Sequence, residues 1–84
     1  MELSFTPKQG QYLAFIHFYT LINRQAPAES DMQKFFGVSP PSVHQMIVTL
    51  ERGGLISRIS GQGRSIVLNV PRAQLPDLES VDGK

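Results

Sequence analysis

The sequence predicts a mainly α-helical fold with a small β-hairpin, arranged as three helices followed by two short strands. Residues 7–23, 29–36 and 40–52 combine helical spacing of apolar side chains with residues that start or stop helices. Two β-branched runs, LISRIS and SIVLNV, follow and are separated by GQGR, which indicates a hairpin. Proline, acids and glycine dominate from residue 71. We therefore expect one domain over residues 1–70 and a flexible C-terminal tail over residues 71–84.

The first helix is predicted over about Pro7–Asn23. Thr6 is a capping residue, and proline is favoured directly after it because its missing N–H has no helical partner there. One stripe of this helix suits the core, but the opposite side is also apolar, and a helix that is apolar all round favours burial all round. We therefore expect a symmetric homodimer, or else a hairpin or tail that covers the second face. The predicted dimer-interface residues are Ala14, Phe18 and Leu21.

The second helix is predicted over roughly Glu29–Phe36. Its start is weakly marked, because Ser30 and Gln33 suggest a capping box while Ala28 is an alternative boundary. Gly37 is expected to end the helix in the left-handed conformation that glycine tolerates best.

The third helix is predicted from Pro40 to about Arg52, with Ser39 as its cap. Val43, Ile47 and Leu50 recur at the spacing of a buried face. The residues that fall elsewhere on this helix include Ser42, His44, Gln45, Thr49 and Arg52. Helix, helix, tight turn, helix and hairpin is the order of a winged helix-turn-helix, a three-helix bundle plus a wing.

Three stretches within residues 3–68 carry a resemblance to a known family: LSFTPKQGQYLAFI, APAESDMQKFFGVSPPSVHQMIVTLERGGLI and ISGQGRSIVL. They resemble the N-terminal DNA-binding domains of LexA-type repressors and similar small bacterial winged-helix regulators. The resemblance implies that the front of the third helix enters the major groove of double-stranded DNA and that the hairpin tip approaches phosphates. By position, the residues implied are Ser39 near the backbone, Pro41, Ser42, His44 and Gln45 facing bases, and Gln62, Gly63 and Arg64 at the tip.

This chain departs from the LexA pattern in two respects. LexA has acidic residues where His44 and Gln45 stand here, so the LexA operator sequence is not carried over. The sequence also offers no serine–lysine pair for the self-cleavage that LexA performs in a further domain, so damage-triggered cleavage does not follow.

The chemistry of the exposed residues suits DNA. Gln45 can pair with adenine, Ser42 can donate or accept, and neutral His44 can meet an acceptor of guanine. Phosphate contacts are expected from basic side chains, with Arg64 the foremost and Lys8 and Arg24 assigned no special role. The other basic candidates are Lys34, Arg52 and Arg58.

Composition disfavours several other functions. Residues 1–72 hold seven Lys and Arg against four acids, which gives a mildly basic body. The chain has no cysteine and two histidines on different helices, so no metal site is expected, and no catalytic constellation or cofactor motif is present. GQG leads into a strand and is not a nucleotide loop. No signal peptide, membrane segment or small-molecule ligand is expected, and we expect a cytoplasmic protein.

The sequence thus predicts a non-enzymatic, sequence-specific DNA-binding transcriptional regulator that is similar to repressors, while whether it represses or activates does not follow from the sequence. The alternative is a winged-helix module that binds protein or RNA without specific DNA binding. A third interpretation is that these residues are one module of a longer regulator, with the tail as its linker.

Overall fold

A computed structural model describes residues 3–80 of the chain. Its elements are α1 (Pro7–Asn23), α2 (Glu29–Phe36), α3 (Pro40–Arg52), β1 (Ile56–Ser57), β2 (Val67–Leu68) and a 3₁₀ turn (Arg72–Gln74). The two strands are antiparallel, with Ile56 opposite Leu68 and Ser57 opposite Val67. The predicted mainly α, winged-helix architecture is confirmed, although each strand is only two residues long. Within residues 3–80, no helix has the length and apolar character needed to cross a membrane.

The starts of α1 and α3 follow from local capping chemistry. The Thr6 hydroxyl accepts from the Gln9 N–H at 3.1 Å, and the Gln9 side chain accepts from the Thr6 N–H at 2.9 Å, which completes a capping box. The Ser39 hydroxyl accepts from the Ser42 N–H at 3.4 Å. Proline follows the cap in both helices.

The start of α2 differs from the capping box predicted at Ser30. Ala28 is the capping position, and its N–H donates to Asp31 Oδ2 at 2.8 Å. Alanine has no side-chain oxygen to return the bond, so the carboxylate of Asp31 alone stabilises this end. Gly37 ends the helix at φ 64°, the predicted left-handed conformation.

The core lies where the three helices meet the base of the hairpin. Its buried residues from the helices include Leu13, Ile16, Met32, Val43, Ile47 and Leu50, and those after α3 are Leu55, Ile56, Ile66 and Val70. Tyr12 stacks on Phe36 with ring centroids 4.1 Å apart, and burial raises the pKa of Tyr12. This packing fixes α3 by its Val43, Ile47 and Leu50 face.

Residues 71–80 lie against α1, which corrects the expectation of a free tail for this stretch. The Gln11 side chain donates to the Asp77 carbonyl and accepts from the Glu79 N–H, both at 2.8 Å. Leu75 and Leu78 pack against the core cluster. A Cβ on Gly10 would lie 3.0 Å from the ring of Pro76, so the glycine permits this close approach. The last residues of the predicted tail, 81–84, lie outside the described part of the chain.

Candidate nucleic-acid interface

The predicted base-facing residues share the exposed side of α3. Val43, Ile47 and Leu50 are fully buried, and at 100° per residue they occupy the opposite side of the helix. The exposed residues of this helix among those predicted are Pro41, Ser42, His44, Gln45, Thr49 and Arg52. We call this exposed side of α3 the α3 face. Within it Ser42, Gln45 and Thr49 line one groove, whereas His44 lies on the flank next to Glu29.

Some polar groups of the α3 face are already engaged within the helix. The Ser39 and Ser42 hydroxyls lie 3.0 Å apart, and the Thr49 hydroxyl donates to the Gln45 carbonyl at 2.9 Å. Among the described residues, the Gln45 side-chain amide has no hydrogen-bonding partner, so both its donor and its acceptor are available. Gln45 is thus the best placed of these side chains to contact a ligand directly.

Lys8 adjoins the α3 face, which the sequence analysis did not anticipate. A groove between the start of α1 and α3 is lined by Thr6, Lys8, Gln9, Pro41, Ser42, Gln45, Met46 and Thr49. Lys8 is exposed and forms no ion pair with another residue in the range 3–80. Its position depends on how α1 packs beside α3, so no local sequence signal could have selected it.

Arg58, a predicted phosphate contact, is instead paired with two acids. Its Nε lies 3.0 Å from Glu51 Oε1, and its Nη1 lies 3.8 Å from Glu29 Oε2. Only 21% of the side chain is exposed. Arg52 is different, because it is exposed and has no ion-pair partner in the described chain.

The Arg64 guanidinium contacts other parts of the chain, although 38% of its side chain remains exposed. Its Nη1 donates to the Tyr19 hydroxyl at 3.1 Å and to the Ala26 carbonyl at 3.2 Å, and it lies 3.2 Å from Asp31 Oδ2. Its backbone is left-handed, at φ 56°. Arg64 therefore joins the hairpin to α1 and to the start of α2, whereas Gln62 remains exposed at the tip.

Asp31 and Arg64 each stabilise the charged form of the other. Desolvation opposes ionisation of Asp31, but the Ala28 N–H, the Tyr19 hydroxyl and the Arg64 guanidinium outweigh it, so the pKa of Asp31 lies below its usual value. The hydrogen bond with Tyr19 and the charge of Asp31 raise the pKa of Arg64 despite some desolvation. Asp31 was not selected from the sequence; its position three residues after Ala28 is the local signal that could have found it.

The predicted dimer residues have unequal exposure. Ala14 is fully buried within the chain, so the expectation that it permits close approach of a second copy is wrong in this conformation. Phe18 is half-buried, with the Arg72 guanidinium 5.8 Å from its ring centroid. Leu21 and its neighbour Ile22 are 64% and 75% exposed. The tail therefore covers part of the second face of α1 and leaves its C-terminal end open.

The described residues contain no cluster of three potential metal-ligating side chains. His17 and His44 lie in separate contacts: His17 Nε2 is 3.0 Å from Arg72 Nε, and His44 Nδ1 is 3.3 Å from Glu29 Oε2.

Comparison with known proteins agrees with the resemblance found in the sequence. No family model matches the chain. The chain is 36% identical over 63 residues to the LexA repressor of Thermosipho melanesiensis, a match that covers 75% of this chain and 32% of that protein. The chain is thus similar, at a distant level, to the N-terminal region of a LexA repressor. It spans about a third of the length of this curated relative.

Proposed function

We propose that this chain binds double-stranded DNA in a sequence-specific manner and serves as the DNA-binding part of a transcriptional repressor. The role is binding without catalysis, and we place it in the bacterial cytoplasm by analogy with its relative. The observation that carries the proposal is the α3 face: an exposed polar surface on the helix that follows the tight turn, in a region similar to the LexA repressor.

Base recognition is assigned to α3. The major groove is wide enough to hold an α-helix. Gln45 has a side-chain amide without a partner in residues 3–80, and such an amide can form two hydrogen bonds to adenine. Ser42 lies one turn from the capped end of the same helix and offers a hydroxyl that both donates and accepts. These side chains would read bases, while the hairpin, held by Arg64, would set the distance from α3 to the neighbouring backbone.

Backbone recognition is assigned mainly to Lys8 and Arg52. Both are exposed and without ion-pair partners in residues 3–80, and Lys8 lines the groove beside Gln45. Arg58 and Arg64 are paired with acids, so they supply less attraction to phosphates than free cations would. The exposed Gln62 at the hairpin tip and Ser39 beside α3 can add neutral phosphate contacts.

Dimerisation remains part of the proposal, with a smaller predicted interface. Leu21 is exposed near the end of α1 and Phe18 is half-covered, so a second copy would pack on this end of the helix. A two-fold dimer would place two α3 helices on half-sites related by a palindrome.

The proposal is tested by selecting bound duplexes from a random pool and then measuring affinity against salt. The wild type should enrich one motif, and log affinity should fall with log salt by about 0.9 per phosphate contacted. Gln45→Ala should cost roughly 1–3 kcal/mol on the enriched site and relax one or two positions, because it removes a base contact.

Gln33→Ala is the matched control, since Gln33 lies on α2 and does not line the groove beside Gln45; it should leave both affinity and motif unchanged. If no duplex binds at about 50 mM salt, the proposal fails and a protein or RNA partner becomes the better hypothesis. If Gln45→Ala weakens all duplexes equally, α3 has been assigned the wrong role.

A further inference from the structure

The His44–Glu29 contact bears on which base the α3 face reads. His44 Nδ1 lies 3.3 Å from Glu29 Oε2, across the gap between the start of α2 and α3. The His44 side chain is 58% exposed, so one ring nitrogen faces the acid while the ring remains accessible. Arg58 Nη1 lies 3.8 Å from the same oxygen of Glu29.

Glu29 lies beside two sources of positive charge. It occupies the first turn of α2, where the helix dipole stabilises negative charge, and the Arg58 cation is adjacent. An ionised carboxylate only accepts hydrogen bonds. The hydrogen bond to His44 therefore requires that Nδ1 carry the proton, which leaves a lone pair on Nε2 in the neutral ring.

We propose that Glu29 is a positioning residue that holds neutral His44 in the Nδ1–H tautomer, so that Nε2 accepts from a base amino group. The inference rests on the proposed DNA binding and deepens it. In the major groove only cytosine N4 and adenine N6 donate, whereas guanine and thymine present acceptors at the corresponding edges. The preference for guanine that the residue type alone suggested is thereby replaced by one for cytosine or adenine.

The tautomer is tested first without DNA. Long-range ¹H–¹⁵N correlation spectra of the histidine rings at pH 8 should identify His44 as the Nδ1–H form, assigned by comparison with His44→Gln. Glu29→Gln should shift the ring towards a mixture of tautomers, since an amide can donate as well as accept. An Nε2–H ring in the wild type at pH 8 overturns the proposal.

Base preference is then measured by random-pool selection with the folded wild type, Glu29→Gln and the matched control Glu51→Gln. Glu51 also pairs with Arg58 but does not contact His44. At the position whose preference His44→Ala abolishes, the wild type at pH 8 should favour cytosine or adenine over guanine roughly tenfold, within the usual range for a base contact. Glu29→Gln should reduce this to about twofold or less, while Glu51→Gln and the position read by Gln45 stay unchanged.

A guanine preference at pH 8, an equal loss with Glu51→Gln, or relaxation at every position with Glu29→Gln contradicts the proposal. If the tautomer is as stated but no duplex is bound specifically, the proposed function fails instead, and the two failures are thereby distinguished.

Discussion

Replacing Asp31 should weaken the whole domain, because one carboxylate serves both the start of α2 and the hairpin. Asp31→Ala removes the acceptor of the Ala28 N–H, a bond of 2.8 Å, and leaves Arg64 without its anion. Loss of such a cap costs about 1–2 kcal/mol. For a domain of this size each kcal/mol lowers Tm by about 4–8 °C. Thermal unfolding followed by circular dichroism at pH 7 measures the change.

The pH dependence of the free energy of unfolding distinguishes the contribution of the Asp31 charge from that of its side-chain shape. The pKa of Asp31 is lower in the folded state than in the unfolded state. Ionisation of Asp31 therefore stabilises the fold above about pH 4, the pKa of an aspartate in an unfolded chain. This stabilisation is lost as the pH falls through the lower pKa of the folded state. Asp31→Asn should therefore be less stable than the wild type at pH 7 and equally stable near pH 2. Ser30→Ala, on the adjacent exposed position, should change little. A gap that persists at pH 2, or an equal loss in Ser30→Ala, would refute this reasoning.

Three further changes test other parts of the surface. Lys8→Gln should lower the salt slope of DNA binding by about one, while Lys34→Gln, on an exposed site outside the groove, should not; equal slopes would remove Lys8 from the interface. Leu21→Glu should yield a folded monomer in sedimentation where the wild type is a dimer at tens of micromolar, and a monomeric wild type would end the dimer hypothesis. Gln11→Ala should speed amide exchange at Glu79 and proteolysis after Leu75, since both hydrogen bonds to the tail are lost; unchanged exchange would mean that Gln11 does not hold the tail.

The starts of α1 and α3 and the end of α2 were predictable because their signals lie within four residues of each end. Thr6 and Ser39 cap the helices that begin directly after them. Gly37 can adopt a positive φ because it has no side chain. Arg24 adopts the same left-handed cap at φ 60° without being glycine, so the end of α1 had no comparable residue to mark it.

The candidate site was less predictable because its decisive contacts join distant parts of the chain. Arg64 meets Tyr19 across 45 positions, and Gln11 meets Asp77 across 66. A basic residue at a hairpin tip predicts a phosphate contact as long as its neighbours in space are unknown. Once Asp31 is beside it, the same side chain is a structural link, and only the packing of the helices could reveal this.

The two acids at the start of α2 reduce the number of unpaired cations in the proposed interface. Glu29, together with Glu51, pairs with Arg58, and Asp31 pairs with Arg64. Within residues 3–80, the unpaired cations on the α3 face and its groove are therefore Lys8 and Arg52. Affinity for DNA of any sequence comes from phosphate contacts, and few free cations keep it low. Discrimination between sequences comes from base contacts, which Gln45 and a His44 oriented by Glu29 would supply. The acids that reduce the positive charge thus favour specific over nonspecific binding.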